Sequence, residues 1–508
     1  MNAKHNLSMN RLGLFLVGVV LCAQPLQGQE FWHLGSNVAG LADAYASGKQ
    51  AQATLFGEFT SGGFRTLSEG NTLWSMGAAA QAETHFRDLV MVGNFGFRQD
   101  FGSQMMGSMF TQPGYYPVDV LEFTPGSKSK QTYDIAGGLA WTGGSRFIPG
   151  FTARFQGINY AKRKDLRHTT YRQEVELTPS LLYNAGIWRA GASYLFEKTS
   201  EFIQAEQIGP AKAESYYAFL DKGIRYGAYH AWDGSGIHLS EPGVDRFPVQ
   251  EITHGAALQF SLRDNLYADV EFRRGQGQVG EKGYTWFRFP SFTWDARILY
   301  SFATGGNTHR FLVTHHWKST RLYESVIEKV SAGGVTTPSI LGSNRVFSAK
   351  EAEGSITYTL SRENGLQLEA GVFIDRDNKL STVLYPYADV DGGTHLFCHV
   401  QADIPLGQRW LLKTTLLAGG GAESEQMNMV LDEALGVSTL PFRMEEWWEL
   451  EQEVSDAFRM NVGLALQYRL PRLPLSIEAG CDFTHAFNVM LAPGANRQTS
   501  YFKLEYNY

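Results

Sequence analysis

Two pairs of carboxylates are the residues of this chain whose type and spacing could support catalysis. Asp269 precedes Glu271 by two positions, and Glu351 precedes Glu353 in the same way. On an extended strand, residues two apart share a face at about 7 Å, a spacing compatible with acid and base roles in glycoside hydrolysis. A strand that lines a polar lumen produces such pairs without any catalytic role. We therefore assign no catalytic residue.

Histidines are the second group that could do chemistry. His309, His315 and His316 are followed by His395 and His399. Positions 395 and 399 would lie about 13 Å apart on one strand, too far to share an ion, and the adjacent 315 and 316 would point to opposite faces. The sequence therefore predicts no metal site, and nothing in it indicates a cofactor.

The beginning of the chain predicts export. Lys4 and Arg11 precede an apolar run over residues 12–23, and Gly28 follows at a position suited to cleavage. The run is too short to span a bilayer, so we interpret residues 1–28 as a signal peptide. Removing it leaves 42 basic and 51 acidic side chains, a net charge of −9. A mildly acidic protein is a poor match for nucleic acid.

The elements that must position these side chains are strands, because apolar and polar residues alternate over about ten positions at a time. In the last such segment Phe502, Leu504, Tyr506 and Tyr508 share one face, and polar residues occupy the other. The segments begin near residues 53, 71, 89, 131, 150, 171, 187, 253, 266, 284, 308, 347, 365, 393, 409, 457, 474 and 498. They number about eighteen.

The spacers between these segments alternate between tight and long. Residues 87–88 and 471–472 are tight, whereas long spacers cover about 103–130, 200–252 and 421–456. Outer-membrane barrels have short periplasmic turns and long outer loops. The sequence therefore predicts an all-β, transmembrane antiparallel barrel of about eighteen strands over residues 53–508, with sixteen or twenty if one hairpin is misjudged. A soluble β-sandwich or propeller is the alternative, but no repeat of about forty residues is present.

The segment from 29 to 52 lies outside the strand pattern. Val38, Leu41 and Tyr45 recur at helical spacing, and Ser36 or Asn37 could cap the helix. Two interpretations remain open. We favour a short periplasmic helix that stabilises the first strand, and the alternative is a small plug inside the lumen.

Strand parity assigns a set of charged side chains of both signs to the lumen. Side chains cannot fill a barrel this wide, so the lumen is either a water channel or is occupied by loops that fold inward. Opposite charges at a constriction would filter solutes, although such residues are also commonly just solvated or paired. The candidates are Asp134, Arg154, Arg189, Asp269, Glu271, Arg273, Asp295, Arg297, Glu351, Glu353, Glu369, Lys413, Arg469, Glu478 and Asp482.

The remaining candidate residues are two cysteines and the aromatic side chains of two long spacers. Cys398 and Cys481 fall on the lipid-facing parity of non-adjacent strands, so we expect no bond between them. The spacer 200–252 is rich in tyrosine, and the spacer 421–456 carries Trp447 and Trp448 among glutamates. Such loops could contact a ligand or an outer-membrane partner, or could fold inward and constrict the lumen.

The terminal strand over residues 501–508 resembles the assembly signal of outer-membrane barrels, and the whole architecture is similar to porins and specific uptake channels. In overall style and in its opening Phe31-Trp32, the chain resembles uncharacterised outer-membrane barrels of Bacteroidota. This resemblance implies residence in the bacterial outer membrane, contact with its lipid and with the barrel assembly machinery, and a role in transport. It carries over no catalytic residue.

Three functions follow as hypotheses. The first is a porin-like channel for small polar solutes. The second is an accessory or receptor barrel with a loop-blocked lumen, working with a partner such as a TonB-dependent receptor. An outer-membrane hydrolase is the least favoured, because the sequence carries no recognisable local signature of one.

Overall fold

The computed structural model describes residues 32–43, 49–143, 146–206, 217–225, 227–231, 246–263, 265–281, 284–332, 335–382, 389–426 and 444–507. Within them lie twenty strands, one 3-10 helix (Val38–Asp43) and one α-helix, α1 (Met444–Asp456). The strands are β1 (Lys49–Gly62), β2 (Thr72–Phe86), β3 (Leu89–Ser108), β4 (Asp119–Trp141), β5 (Phe147–Lys162), β6 (Arg167–Asn184), β7 (Trp188–Glu206), β8 (Tyr217–Asp221), β9 (Gly227–Ala231), β10 (Arg246–Leu262), β11 (Leu266–Glu281), β12 (Tyr284–Thr304), β13 (Asn307–Ala332), β14 (Val335–Arg362), β15 (Gln367–Ser381), β16 (Asp389–Pro405), β17 (Trp410–Gln426), β18 (Arg459–Arg469), β19 (Leu475–Ala486) and β20 (Asn496–Asn507).

Eighteen of these strands form a closed antiparallel barrel. Each wall strand pairs with the next, and β7 pairs with β10 across the inserted β8–β9 hairpin. The last strand closes the wall on the first, with Leu504 opposite Leu55. The predicted fold class and the strand number are therefore confirmed. Tight turns join the strands at one end, for example at Gly186, whose φ of +85° is the left-handed conformation that glycine adopts at low cost.

The outer face of the wall is an apolar band. On β4, Tyr133, Ile135 and Leu139 point outward and are exposed, whereas the outward residues farther from the tight turn are the polar 127, 129 and 131. Large apolar side chains exposed all around a closed barrel are the surface that a bilayer covers. The chain is therefore an outer-membrane type of barrel, and the membrane-spanning part of β4 ends near residue 133.

The height of the wall varies around the barrel. Strands β13 and β14 contain 26 and 28 residues, whereas β18, β19 and β20 contain only 11 or 12. Because about 9–11 residues cross a bilayer, the β13–β14 hairpin projects far beyond the membrane. In the part of the chain that the structure describes, no helix has the length and hydrophobicity needed to cross a membrane.

The long connections between strands are shorter in the structure than the sequence predicted. Strand β3 extends to Ser108 and β4 begins at Asp119, so most of the predicted loop 103–130 is strand. Strands β7 and β10 likewise extend into the predicted loop 200–252, and β17 extends into 421–456. The alternation fades above the membrane because neither face of the wall has to be apolar there. Cys398 on β16 and Cys481 on β19 form no disulfide bond with each other, as predicted.

Candidate functional site in the occupied lumen

The outer half of the lumen is filled by elements that fold inward, and the first is the loop 109–118 between β3 and β4. Its Phe110, Tyr115 and Tyr116 are buried. The wall holds its backbone, because the Glu201 carboxylate accepts the N–H of residue 111 at 2.8 Å and Thr170 Oγ1 donates to the carbonyl of residue 109 at 2.6 Å. Both backbone polar groups are thus satisfied inside the barrel.

Arg172 of β6 is the central anchor of this loop. Its buried guanidinium lies 4.0 Å from the centre of the Tyr115 ring, donates to Gln112 and pairs with Glu174 at 2.7 Å. A cation over an aromatic face that is also paired with a carboxylate is a strong arrangement when water is excluded. The loop is therefore fixed to the wall.

The second inward element is the β8–β9 hairpin. Strand β8 pairs with the outer end of β4, placing Leu220 opposite Val120. The hairpin and the loop 109–118 share one apolar core with the inner faces of β7 and β10–β14. Its buried residues are Met109, Phe110, Tyr115, Tyr116, Val118, Val120, Leu166, Ile203, Ala205, Ala218, Leu220, Phe247, Val249, Val279, Trp286, Phe287, Phe289, Leu322, Val346, Phe347 and Ala349.

The third inward element is helix α1. Its buried face consists of Met444, Trp447, Leu450 and Val454, spaced by three or four residues. Met444 and Trp447 pack with Phe219 of the hairpin and the outer ends of β3 and β4, and the other two pack beside the loop after β1. We call the loop 109–118, the β8–β9 hairpin and α1 together the cap.

An ionic cluster joins two parts of the cap to the wall. Arg225, just after β8, binds Asp221 at 2.6 Å and Glu451 of α1 at 2.6 and 2.9 Å. Asp119, at the outer end of β4 above the membrane, lies opposite Asp221 in the strand register. Burial raises the pKa of Asp119 to about 7, although Arg225 opposes the shift. The Arg225 guanidinium thus lies among three carboxylates, and burial raises the pKa of Asp221 as well as that of Asp119.

The far end of α1 is fixed to β16. The Nε2 of His395 lies 2.8 Å from Asp456 and 3.0 Å from Ser455, and its Nδ1 lies 3.0 Å from Asp375 on β15. Gln452 also donates to Asp391 of β16 at 2.9 Å. The cap is therefore anchored to the wall on both sides of the lumen.

The opposite, tight-turn end of the lumen holds the segment 32–43, which we call the plug. Asn37 caps its 3-10 helix, as the sequence predicted, and its amide also donates to Gln259 and to the carbonyl of residue 181 at 3.2 Å. Trp32 packs edge-on against the buried Tyr267 with ring centres 5.3 Å apart. The segment thus lies within the lumen, as in the alternative interpretation, and not as a helix beneath the first strand.

Between plug and cap lies a band of paired charges on β4–β7 and β11–β12. Arg154 pairs with Asp134 and, at 3.4 Å, with Glu176. Arg273 binds Glu271 at 2.8 Å and lies 3.5 Å from Glu197. These candidates do line the interior, but mostly as partners of one another.

Arg297 links this band to the plug. It lies 3.0 Å from Asp269 and 3.8 Å from Glu271, and it donates to the carbonyl of Leu34. The carboxylate pair that could have been catalytic is therefore engaged by a structural cation. No group of three or more His, Cys, Asp or Glu side chains in the described ranges is arranged to hold a metal ion.

The other candidates are spread over the remaining wall. Asp295 bonds His316 at 2.6 Å, Glu369 bonds His399 at 3.3 Å, and Lys413 bonds Glu478 at 2.7 Å. Strand parity directs the following candidates inward as well: Arg189 on β7, Glu351 and Glu353 on β14, and Asp482 on β19. Arg469 is exposed at the tight-turn end. The structure does not gather them into one site.

Sequence reasoning allowed for loops that fold into the lumen, but it did not identify the helix and the hairpin that they form. The spacing of Met444, Trp447, Leu450 and Val454 is a helical signal that was available in the predicted loop. The β8–β9 hairpin carried no such signal, because five-residue strands are too short for alternation to be recognised. Of the tyrosines in that loop, Tyr216 and Tyr226 lie outside the described residues, as do the predicted signal peptide over 1–28 and Tyr508.

A family model covers nearly the whole of this architecture. It matches residues 39–508, and its description is "Family of unknown function (DUF6850)". The chain belongs to this family. No curated protein matches the chain.

Solved structures with a similar overall arrangement include the alcaligin outer-membrane receptor FauA from Bordetella pertussis, at 11% identity and a TM-score of 0.42, covering 91% of this chain and 76% of that one. A mutant of the ferric enterobactin receptor PfeA from Pseudomonas aeruginosa matches at 10% identity and a TM-score of 0.43, covering 91% and 81%. The RagAB peptide transporter matches at 8% identity and a TM-score of 0.43, covering 91% and 75%. Similarity at this level carries no information about function.

Proposed function

We propose that this DUF6850 protein is a transport-associated outer-membrane barrel whose lumen is closed at rest, and that it acts as an accessory or receptor component. The observation that supports this proposal is the occupation of the lumen from both ends, by the cap and by the plug. A ligand or a partner barrel, such as a TonB-dependent receptor, would act on the cap from outside.

The composition of the cap makes spontaneous opening costly. Burying one large apolar side chain is worth about 1.5–3 kcal/mol, and residues such as Phe110, Phe219 and Leu220 are almost completely buried in it. The ion pairs of Arg225 add to this cost because they would leave unpaired charges behind. An open diffusion pore requires the opposite, a permanently hydrated path.

A gated channel is the second candidate, and one observation favours it. The band between plug and cap is lined by charges of both signs, including Arg154 and Arg273. Such a lining would select solutes once the cap and the plug moved. A hydrolase is disfavoured, because Arg297 occupies the space beside Asp269 and Glu271.

Planar-bilayer recordings test the proposal. Refolded protein whose heat-modifiable gel mobility proves that the barrel is intact should be electrically silent. Stable single-channel steps from the unmodified protein would overturn the closed-lumen proposal. Isolation in mild detergent then tests the accessory role, which predicts a second outer-membrane barrel at a fixed ratio; recovery of the protein alone would contradict that role.

A further inference from the structure

An apolar rim lies at the outer end of the shortest part of the wall. It consists of Phe458, which precedes β18, and of Phe487, Met490 and Leu491 in the loop 487–495 between β19 and β20. These side chains are 52%, 39%, 88% and 51% exposed. Exposed apolar side chains that are grouped in this way mark an interaction surface.

The rim continues the lipid-facing surface. Outward positions on β18 are Met460 and Val462, and Phe458 extends that row by one step. Phe487 extends the row of Phe483 on β19, and its ring centre lies 5.7 Å from that of Phe458. Because β18 has only 11 residues, about the number that crosses a bilayer, the rim lies at the outer boundary of the membrane.

Three consecutive backbone N–H groups in this loop are bonded to one side chain. The carboxylate of Glu453, on α1, accepts the N–H groups of residues 490, 491 and 492 at 2.7, 2.9 and 2.8 Å. Burial opposes the shift, but these three bonds together hold the pKa of Glu453 below its usual value. A loop whose amide groups are already bonded can approach hydrocarbon at much lower cost than a hydrated loop.

The loop is also held rigidly from its other side. Gly494 packs against Gly63 so closely that a Cβ on Gly63 would lie 2.8 Å from the Gly494 Cα. The N–H of residue 64 donates to the carbonyl of residue 496 at 3.1 Å. Met490 is therefore held outward by fixed backbone on two sides.

We propose that the loop 487–495 inserts its apolar rim into the outer leaflet of the membrane and, through Glu453, fixes helix α1 of the cap to the lipid. The occupant is acyl chain, since the rim is continuous with the surface that lipid already covers. This inference concerns membrane contact and holds whether or not the lumen conducts.

The structure supplies a matched control on the tall side of the barrel. Leu341 of β14 is also a large exposed apolar residue, at 64%. It lies fifteen residues beyond Ile356, an outward residue of the apolar band, which is roughly 50 Å along the strand. Because Leu341 and Met490 are both exposed but lie at different heights, comparing them distinguishes contact with lipid from hydrophobicity alone.

Spin labels at the two positions test the proposal. Met490→Cys and Leu341→Cys are made in a full-length background without the native cysteines, and the proteins are reconstituted in phosphatidylcholine vesicles. For each label we measure the ratio of its collision rate with oxygen to its collision rate with a water-soluble nickel complex. We expect this ratio to be several-fold higher at position 490 than at position 341. Equal ratios would show that the loop faces water and would overturn the proposal, including the case in which the rim binds a protein partner.

The link to the cap has its own test. Glu453→Ala removes the acceptor of three backbone bonds, whereas Glu449→Ala on the same helix is the control, since the structure gives it no bond to the loop. We expect the first substitution to raise the mobility of the label at 490 and to accelerate amide exchange in α1. Unchanged mobility and unchanged exchange would overturn the link. Conductance in planar bilayers is measured separately, so a failure of the link between the loop and the cap is distinguishable from a failure of the proposed function.

Discussion

The two obstructions of the lumen differ in how they are held. The cap combines an extended apolar core with ion pairs to the wall on both sides, through Arg225 and His395. The plug rests on one small apolar cluster around Trp32 and on a few hydrogen bonds of Asn37 and Arg297. Removing the plug should therefore cost less free energy than removing the cap.

Loss of the closing strand should abolish both obstructions. Tyr506 lies opposite Ala53 of β1 and Leu475 of β19, so it belongs to the seam that closes the wall. Deleting residues 506–508 should prevent assembly, because an open sheet edge in a bilayer leaves backbone groups unpaired. Surface labelling and heat-modifiable mobility measure this, and wild-type levels of folded barrel would contradict it.

Two buried tryptophans compare the obstructions directly. Trp447 of the cap and Trp32 of the plug are almost fully buried, and replacing either by alanine should cost about 3–5 kcal/mol locally. We expect limited proteolysis to release the plug in Trp32→Ala and to leave the cap intact, and each single variant to stay silent in bilayers. The double variant should conduct.

The partly exposed Trp448 supplies the control for this pair, since Trp448→Ala empties no fully buried site. Conduction by either single variant would show that one obstruction alone closes the lumen. Silence of a folded double variant would show that further elements block it.

The response to pH should distinguish the cap from the plug. Because burial raises the pKa of Asp119 to about 7 from 3.8, its protonated form stabilises the cap fully below about pH 4, and this stabilisation is lost as pH rises through about 7. The upper bound is about 4 kcal/mol, from about 1.4 kcal/mol per unit. The protection of β8 and α1 against amide exchange, measured relative to the intrinsic base-catalysed rate, should therefore fall from pH 5 to 8.

Asp119→Asn provides the control for the pH experiment. It mimics the neutral carboxyl group and should flatten the pH dependence of exchange in the cap. Exchange in the plug should not accelerate beyond the intrinsic chemistry in either protein, because burial lowers the pKa of its His33 and so favours the packed plug as pH rises. A cap that loosens equally with pH in Asp119→Asn would assign the dependence to another group.

The sequence predicted the wall far better than the contents of the lumen. The wall follows one local rule, an outward apolar residue at every second position. Rows such as Phe502, Leu504 and Tyr506 can therefore be recognised within a single strand, without knowledge of the strand it pairs with. The cap follows no such rule, because its contacts join distant parts of the chain. Arg172 contacts the Tyr115 ring, and Arg225 pairs with Glu451, only once the barrel has closed. Parity placed the charged side chains inward, but pairing such as that of Arg154 with Asp134 depends on strand register, which spacing alone does not fix.

The smallest expected effect concerns the hydrogen bonds of the plug. Asn37→Ala removes the cap of the 3-10 helix and leaves the Gln259 side chain without this donor, at a cost of about 1–2 kcal/mol. Ser36→Ala is the matched control, since no hydrogen bond of the neighbouring hydroxyl is present. We expect amide exchange in residues 38–43 to rise roughly tenfold in the first variant and to stay unchanged in the second, with the cap unaffected in both. Equal exchange in both variants would mean that Trp32 packing alone retains the plug.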